Sequence, residues 1–507
     1  MWQREHMSGS SLHPGMWQRE HVSVLDSPAA GRYTQSRLAP DGSLTFAWNS
    51  VAAAGLRIAR CLDARCAGGP STAHTVTGAD EDPRFLRMEL LPQTHGAQTL
   101  EHAHGAPSHQ SAPLFIYSAR SETQLRLTRC ADAACTRASH VRLVGAERVR
   151  HSEMVLVRAA EMFELRIVVS LSNHTRGRGS SLVLLHISLA NGTARVAAHG
   201  EVARSDLPFM VDSRSKLPTG GLENPALVVT AGGQAHVAFW DVSRRELALI
   251  WDAGGPTRTC TVVAAGADGS IGSSPGGWVR VALDQAEEAL TVFYFDLPLG
   301  VLWVQRCEVH SRTCPLRSQI LDRVGQRDVS DFGAGAFPHL LVDPSWGGVA
   351  RGGVAGDGVA RDGAARDGAA KDWVASGERL MLAYFDEATG SGTNRGGGQL
   401  KLLECTAGAA RGALDTRRRR GEVAAWTAPC AGSVRVHVLA QGLPGFGRDP
   451  SIALVRQHTV GGGGNETLFA AFLDLGNASS SAELKVAARL ALFSRMRSSD
   501  LVGEALA

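Results

Sequence analysis

The stretch LTVFYFDLPLGVLWVQRCEVHSRTC, residues 290–314, decides the fold of this chain. An apolar strand ends at Asp296, a short turn follows, and a second strand ends at Cys307. Apolar residues alternate along the second strand, which is typical of a half-buried β-strand. A further cysteine, Cys314, lies beyond that strand. Degraded copies of the unit recur along the whole chain, so the sequence predicts a repeat architecture.

Seven copies of the unit align on its second strand, each with apolar residues at the first and third positions. They are LRIARC (56–61), LRLTRC (125–130), LVLLHI (182–187), LALIWD (247–252), LWVQRC (302–307), LKLLEC (400–405) and LKVAAR (484–489). In six copies the preceding strand also carries an aromatic residue two positions before the turn. These aromatic residues are Trp48, Tyr117, Phe239, Tyr294, Tyr384 and Phe472. The copy at 165–173 lacks the aromatic residue and is the degenerate one.

Another apolar run precedes each pair of strands, often opened by proline, and a fourth follows it. Proline at the first position of a strand costs no ladder hydrogen bond. Four short strands per unit, seven units and Gly-rich turns predict an all-β fold, a seven-bladed β-propeller of four-stranded antiparallel blades. Six blades is the alternative, because one copy is degenerate.

The unit resembles a repeat of secreted propeller-like proteins from bacteria and unicellular algae. The resemblance rests on the aromatic-x-Asp of the first strand, the L-x-V-x-x-C of the second and the C-x4-C spacing that follows. It covers about residues 40–490. It implies a propeller fold and no particular activity.

The chain divides into a tail and one domain. We interpret residues 1–26 as a disordered N-terminal tail, within which HVSVLD (21–26) is a candidate outer strand that closes the ring. Residues 27–507 form the propeller, interrupted by a low-complexity insertion at 344–377 and a basic insertion at 406–429. Such tracts bury little apolar area and are typical of segments outside the core.

The composition excludes two classes of partner. The net charge is +3, and arginine, which supplies nearly all the positive charge, is scattered along the chain, whereas nucleic-acid-binding proteins concentrate it on one face. No apolar run reaches the roughly 18 residues of a membrane span. We therefore expect a monomer that binds a glycan or a protein, with no nucleic acid and no membrane span.

Eight of the nine cysteines fall at matched positions, where the first residue ends a third strand and the second opens a fourth. Facing positions at a hairpin mouth suit a disulfide, and zinc would need four converging ligands. The predicted disulfides are Cys61–Cys66, Cys130–Cys135, Cys307–Cys314 and Cys405–Cys430. Cys260 is predicted to be a free thiol.

Disulfides indicate an oxidising compartment, so we expect a secreted or cell-surface glycoprotein, although no signal peptide is visible in this N-terminus. Four N-x-[ST] sequons agree with that route, and each is predicted to lie in a turn. The acceptor residues are Asn173, Asn191, Asn465 and Asn477. We expect no cofactor. The four histidines of the loop 94–110 are interpreted as solvated, with a zinc or copper site as the alternative.

The turn between the second and third strands should lie on the same face as the start of the first strand. That face would collect a set of acidic and amide side chains suited to sugar hydroxyls or calcium. They are Asp82, Asn224, Asp241, Asp296, Asp386, Asp449 and Asp474. The alternative is structural, because Asp and Asn at turns bond their own backbone, and repetition in every blade favours that alternative.

The sequence predicts a non-catalytic scaffold that binds its ligand at the channel mouth. The alternative is a glycoside hydrolase that uses a carboxylate pair on the same face. A sialidase-like enzyme would need a tyrosine nucleophile. Tyr117, Tyr294 and Tyr384 occupy the repeated aromatic position, which leaves Tyr33.

Overall fold

A computed structural model gives the fold of the protein. It describes residues 18–26, 33–39, 41–50, 55–62, 73–76, 83–92, 111–119, 123–145, 148–159, 162–173, 178–189, 194–205, 210–211, 218–265, 278–284, 287–296, 301–314, 318–323, 339–343, 379–387, 398–406, 430, 433–441, 446–458, 464–474 and 483–493. Within these residues no helix is long and apolar enough to cross a membrane.

The described residues form thirty β-strands. In chain order they are β1 Gln18–Asp26, β2 Gln35–Leu38, β3 Leu44–Ser50, β4 Gly55–Cys61, β5 His74–Thr75, β6 Arg84–Pro92, β7 Ser111–Ser118, β8 Gln124–Cys130, β9 Ala138–Gly145, β10 Arg148–Ala159, β11 Met162–Asn173, β12 Arg178–Ser188, β13 Arg195–Ser205, β14 Met210–Val211, β15 Pro218–Gly220, β16 Leu222–Val229, β17 Ala235–Asp241, β18 Glu246–Trp251, β19 Thr259–Ala265, β20 Val279–Leu283, β21 Ala289–Asp296, β22 Val301–Glu308, β23 Gln319–Arg323, β24 His339–Asp343, β25 Arg379–Glu387, β26 Gly398–Thr406, β27 Ser433–Gln441, β28 Phe446–His458, β29 Gly464–Asp474 and β30 Glu483–Phe493.

Six four-stranded antiparallel sheets are each built from four consecutive strands, and we number them blades 1 to 6. They are β2–β5, β6–β9, β10–β13, β16–β19, β20–β23 and β24–β27. A further four-stranded sheet, the closing sheet, has the order β1-β30-β29-β28. Strands β14 and β15 form a small separate ribbon. The all-β class and the four-stranded antiparallel blade predicted from the sequence are confirmed. The six blades match the alternative count, so the predicted count of seven is not confirmed.

The first strands of the sheets surround one axis. Strands β2, β6, β10, β16, β20 and β24 contact one another in that order, and β28 of the closing sheet contacts both β24 and β2. This is the arrangement of a β-propeller, with the first strands around a central channel. The degenerate copy at 165–173 lies in blade 3, which is a complete sheet despite the missing aromatic residue.

The candidate outer strand at 21–26 is confirmed as a strand, and it begins earlier than predicted. Strand β1 pairs antiparallel with β30, so a segment near the N-terminus completes a sheet made from the last three strands. Part of the predicted tail therefore belongs to the propeller. Residues 1–17 and the two predicted insertions, apart from Thr406 at the end of β26, lie outside the described residues.

The hydrophobic core lies between neighbouring blades. One buried cluster joins blades 4 and 5 and includes Trp240 and Tyr294, whose rings meet edge to face with centroids 6.1 Å apart. A second cluster joins blades 5 and 6 through Phe293 and Tyr384. The repeated aromatic residue of the second strand thus fills the space between sheets, as expected for large apolar side chains in a layered fold.

Three of the four predicted disulfides are present, namely Cys130–Cys135, Cys307–Cys314 and Cys405–Cys430. Cys61 is also disulfide-bonded, and its predicted partner Cys66 lies outside the described residues. Cys260 is free and exposed, as predicted. The disulfides cross-link the ends of the outer hairpins, where the third strand of a blade continues into the fourth.

Two of the four predicted glycosylation sequons do not lie in turns. Asn465 lies inside β29 and Asn173 is the last residue of β11, so the turn predicted at each is wrong. Both strands extend further than the apolar pattern indicates. Asn191, Asn477 and the histidine loop at 94–110 lie outside the described residues.

Candidate functional site

One face of the ring carries both the starts of the first strands and the turns after the second strands. Leu222 at the start of β16 pairs with Asp241 at the end of β17, and Phe446 at the start of β28 pairs with Asp474 at the end of β29. This matches the geometry expected from the repeat. We call this surface the mouth face.

The first strands alternate between buried and half-buried residues. In β6, Phe85, Arg87 and Glu89 are half-buried and the residues between them are buried; in β10, His151 and Glu153 follow the same rule. Successive side chains of a strand point to opposite sides. The half-buried set therefore faces the channel, and the buried set faces the cores between blades.

The outermost channel residues form an aromatic layer at the mouth face, defined by Tyr33, Phe85, His151 and Trp278. The rings of Tyr33 and Phe85 have centroids 5.3 Å apart, and those of Phe85 and His151 are 4.8 Å apart. The His151 ring meets Trp278 edge to face at 5.8 Å. These residues come from blades 1, 2, 3 and 5, so the layer reaches across the channel.

The backbone is kinked at the starts of several first strands, next to the aromatic layer. Tyr33, Phe85 and Asn224 have φ values of 63°, 53° and 47°, a region that costs energy for residues other than glycine. The pairing register also shifts between Arg84 and Arg87, as in a β-bulge. Bulges re-aim side chains next to functional sites, and strained backbone is common there.

A charged layer lies one step deeper in the channel and is defined by Arg87, Glu153 and Arg280. The guanidinium of Arg87 bonds both carboxylate oxygens of Glu153 at 3.0 Å, and Arg280 Nη1 lies 3.6 Å from Glu153 Oε2. The side chains of the three are 12%, 16% and 13% exposed. Arg37 and Glu89 add a pair at 3.1 Å beside it. One carboxylate thus serves two arginines.

His151 lies close to three arginines. Burial lowers the pKa of His151 to about 3, and the charges of Arg150, Arg87 and Arg280 add to the shift. Burial likewise lowers the pKa of Arg280 to about 10, against the opposing charge of Glu153. His151 is therefore a neutral imidazole at physiological pH.

Glu223 is the most unusual carboxyl group of the mouth face. It is 2% exposed, and burial raises its pKa well above the ordinary value, against the charge of Arg150. Among the described residues its Oε1 has no hydrogen-bond partner. The neighbouring Leu222 amide donates to Ser180 Oγ of blade 3 at 2.9 Å, which fixes this start of β16. Burial therefore disfavours the charged form of this carboxyl group.

The pKa of Glu153 is shifted in the opposite direction from that of Glu223. Burial disfavours its charged form, but the charges of Arg87 and Arg280 and the hydrogen bond from Arg87 hold its pKa below the ordinary value. The pKa values of Glu153 in the channel and of the buried Glu223 are therefore shifted in opposite directions. Environments that push two carboxyl pKa values apart are typical of functional sites.

The predicted acidic residues are not brought together as a solvated ring. Asp241 is 6% exposed, accepts a hydrogen bond from Ser243 Oγ and one of 3.1 Å from the Arg244 amide, and so closes its own turn. Asp296 is fully buried at the end of β21. At these two positions the side chain is buried, so the expectation of a solvated carboxylate is wrong there, while a ligand-binding role stays a prediction.

Asn224 is 7% exposed and lies beside Glu223 in the kink of β16. Backbone alone is described for Asp386, Asp449 and Asp474, which lie in β25, β28 and β29, and Asp82 lies outside the described residues. A ligand-binding role for these four acidic residues stays a prediction.

Sequence reasoning missed the aromatic layer, the charged layer and Glu223. The alignment on the second strands did not detect these residues, because they lie at the starts of the first strands. Aligning the chain on those starts would have shown Tyr33, Phe85, His151 and Trp278 as a ring or imidazole just before, or at the beginning of, a polar-apolar alternation.

No protein-family model matches the chain, and no curated protein matches its sequence. Solved structures with a similar fold include an oligogalacturonate lyase from Vibrio parahaemolyticus, at 8% identity over 94% of this chain and 98% of that chain, with a TM-score of 0.41. The WD40 domain of SCAP from fission yeast has 6% identity over 92% and 97%, with a TM-score of 0.38. A Trypanosoma rangeli sialidase in complex with sialic acid has 12% identity over 74% and 52%, with a TM-score of 0.33. Similarity at this level does not define a function.

Proposed function

We propose that the protein is a non-catalytic propeller that binds a glycan, or a protein segment, at the channel mouth of the mouth face. The aromatic layer is the single observation that carries this proposal. Its members are half-buried residues, and their mutual contacts hold the rings in place. Rings with one packed side and one wet side are typical of binding surfaces.

A glycan fits this mouth better than a protein segment does. Sugars present apolar C–H faces that pack on aromatic rings and hydroxyl groups that need polar partners. The mouth offers Tyr33, Phe85 and Trp278 for the first, and the half-buried charged layer one step deeper for the second. A protein partner would more often meet a broad apolar patch. The exposed large hydrophobic residues of the described chain lie mostly on the outer strands of different blades, apart from Leu38 in β2 and Leu62 after β4.

We also propose that the closing sheet is the seventh blade of one closed ring and that the protein is secreted or displayed at the cell surface. Contacts of β28 with β24 and β2 support the closure. The disulfides support the compartment, because reducing compartments seldom retain them. A sheet that combines an N-terminal strand with three C-terminal strands joins the first blade to the last, which is a common way to close a ring of blades.

The test is a glycan array probed with the full chain secreted from a eukaryotic host. We expect a restricted set of hits that Trp278→Ala and Phe85→Ala each weaken at least tenfold. Leu62→Ala is the matched control, because Leu62 is 79% exposed on the outer side of blade 1. Absence of hits, or hits that survive both mouth variants, would refute glycan binding at the mouth face.

A glycoside hydrolase is the second candidate, and one observation favours it. Burial raises the pKa of Glu223, and a raised pKa is a requirement for a carboxyl group that acts as a general acid. Glu153 is ionised but bound by two arginines, which weakens it as a nucleophile or base. Tyr33, the tyrosine left for a sialidase-like mechanism, lies in the aromatic layer at the mouth face.

A hydrolysis screen on every array hit separates the two candidates. An enzyme should release product, and Glu223→Gln should abolish turnover while binding is retained. A binder should release no product with any hit.

A further inference from the structure

We propose that the mouth face binds one terminal sugar unit of a glycan end-on, and not an internal stretch of a longer chain. This inference rests on the proposed function and narrows the ligand to glycans with an accessible terminal unit, at the end of a chain or of a branch. A terminal unit is linked on one side only and can enter a closed recess, whereas an internal unit needs open space on both sides.

The charged layer fills the channel beneath the aromatic layer. Arg87 of blade 2 and Arg280 of blade 5 both reach the carboxylate of Glu153 in blade 3, at 3.0 Å and 3.6 Å. The Arg280 contact passes in front of blade 4, because β16 lies between β10 and β20 in the ring. The three side chains face the channel, yet each is at most 16% exposed. Among the described residues, the channel is therefore closed to a threading chain on the side of blades 2 to 5.

The recess above the charged layer is shallow. His151 of the aromatic layer and Glu153 of the charged layer are two residues apart on β10. Two residues of a strand span about 7 Å, so the charged layer lies roughly that far below the imidazole. A recess of this depth takes the end of a glycan and leaves the rest of the chain outside the mouth. The last unit of the ligand is thus the part that can contact both layers.

The rings of the aromatic layer do not form a flat platform. The interplanar angles between successive rings are 49°, 65° and 80° along the order Tyr33, Phe85, His151 and Trp278. An extended chain that stacks several units would need ring faces that point the same way. Inclined rings instead meet one compact unit from several directions, through their faces and their edges. The aromatic layer therefore suits a single unit.

The polar groups of the charged layer match the free hydroxyl groups of a terminal unit. The Arg87 guanidinium only donates hydrogen bonds and the Glu153 carboxylate only accepts them, and the two lie side by side. A hydroxyl group does both, so adjacent hydroxyl groups can bond to either partner. At the corresponding position an internal unit carries the glycosidic oxygen of the next bond, which has no proton to donate. A terminal unit is therefore the better partner for this layer.

The experiment probes the glycan array with the full secreted chain, before and after the printed glycans are trimmed with exoglycosidases that remove terminal units. We expect the hits to share their terminal unit, irrespective of the inner units, and trimming to abolish their signal. Titration calorimetry then uses the strongest hit as its di-, tri- and tetrasaccharide, all with the same terminal unit. We expect their affinities to differ less than threefold.

Trp278→Ala and Phe85→Ala should each weaken binding of the disaccharide and of the tetrasaccharide by the same factor, because the rings contact one unit. On a platform for several units, the loss would grow with chain length. Leu62→Ala, on the outer side of blade 1, is again the matched control. Signals that survive trimming, or affinity that rises more than threefold with chain length, would overturn end-on binding and leave glycan binding intact. An array without any hit would overturn both.

Discussion

The phenol of Tyr384 donates a 2.5 Å hydrogen bond to Oδ2 of Asp322, which lies on the outer strand of the preceding blade. Lys401, the cross-strand partner of Tyr384, reaches the same oxygen at 3.1 Å. The repeated aromatic position therefore does two things in blade 6. Its ring fills the core between blades 5 and 6, and its hydroxyl group ties the two sheets together.

Tyr384→Phe should destabilise the protein by about 2 kcal/mol, because a hydrogen bond to a charged group is lost and Asp322 keeps only Lys401 of these two partners. Tyr294→Phe is the control. The Tyr294 hydroxyl group donates to the neutral Ser318 Oγ of its own blade at 2.7 Å, so we expect about 1 kcal/mol. Chemical denaturation at pH 7 measures both. Equal losses would contradict a special role for the contact between blades.

Glu153→Gln should cost about 3 kcal/mol, because Arg87 and Arg280 would remain largely buried without the carboxylate they share. Arg306→Gln should cost at most about 1 kcal/mol, since its ion pair is more exposed. The thermal midpoint of each variant reports the difference. A Glu153→Gln protein as stable as the control would show that the two arginines are well solvated.

Glu223→Gln should stabilise the protein, and the gain should grow as pH rises. The folded pKa of Glu223 lies above that of the unfolded chain, so stability from this group is complete below about pH 4.5 and is lost as pH rises toward the folded pKa. The slope is at most about 1.4 kcal/mol per pH unit. Glutamine mimics the protonated acid and does not titrate. Urea unfolding at pH 5 and pH 8 should show a difference that widens at pH 8, and a constant difference would contradict the raised pKa of Glu223.

His151→Phe should have the opposite pH dependence. The folded pKa of His151 is about 3, below the ordinary value of 6.5, so the unfolded chain takes up the proton first as pH falls. Stability from His151 is complete above about pH 6.5 and is lost between that value and pH 3. At pH 5 the wild-type chain should have lost about 2 kcal/mol through this group, a loss that the phenylalanine variant avoids. The free energies of unfolding at pH 7 and pH 5 measure it; parallel profiles of the two proteins would rule out a buried neutral imidazole.

The blade architecture could be predicted from the sequence because the same strand pattern repeats in each blade. The aromatic residue before the turn, the alternation of the next strand and the matched cysteines recur with each blade, since each blade solves the same packing problem. The site does not repeat. Glu223 has its electrostatics from burial between blades 3 and 4 and from Arg150, and nothing in the local sequence encodes those contacts.

For the predicted acidic residues, a repeated position indicated a structural role and not a binding site. Asp241 was predicted from a repeated position, and repetition is what a turn requires, because the same hydrogen bonds close every copy. His151 and Trp278 are far apart in the chain and meet only because the first strands of blades 3 and 5 face one channel. A pairing of that kind depends on the ring geometry, which is available only after the blades have been assembled in order.

The Cys405–Cys430 disulfide should stabilise the protein more than the Cys130–Cys135 disulfide. The sequence separations are 25 and 5 residues, and in the chain-entropy model the longer loop loses more freedom when it is closed in the unfolded state. The expected contributions are about 3.5 and about 2 kcal/mol. All four cysteines are buried, so replacing each pair with alanine gives variants matched in burial. Denaturant unfolding without reductant, with peptide mapping to verify the remaining disulfides, should rank the Cys405–Cys430 variant as the less stable. The reverse order would show that native contacts at the hairpin ends, and not loop length, set the contribution of these bonds.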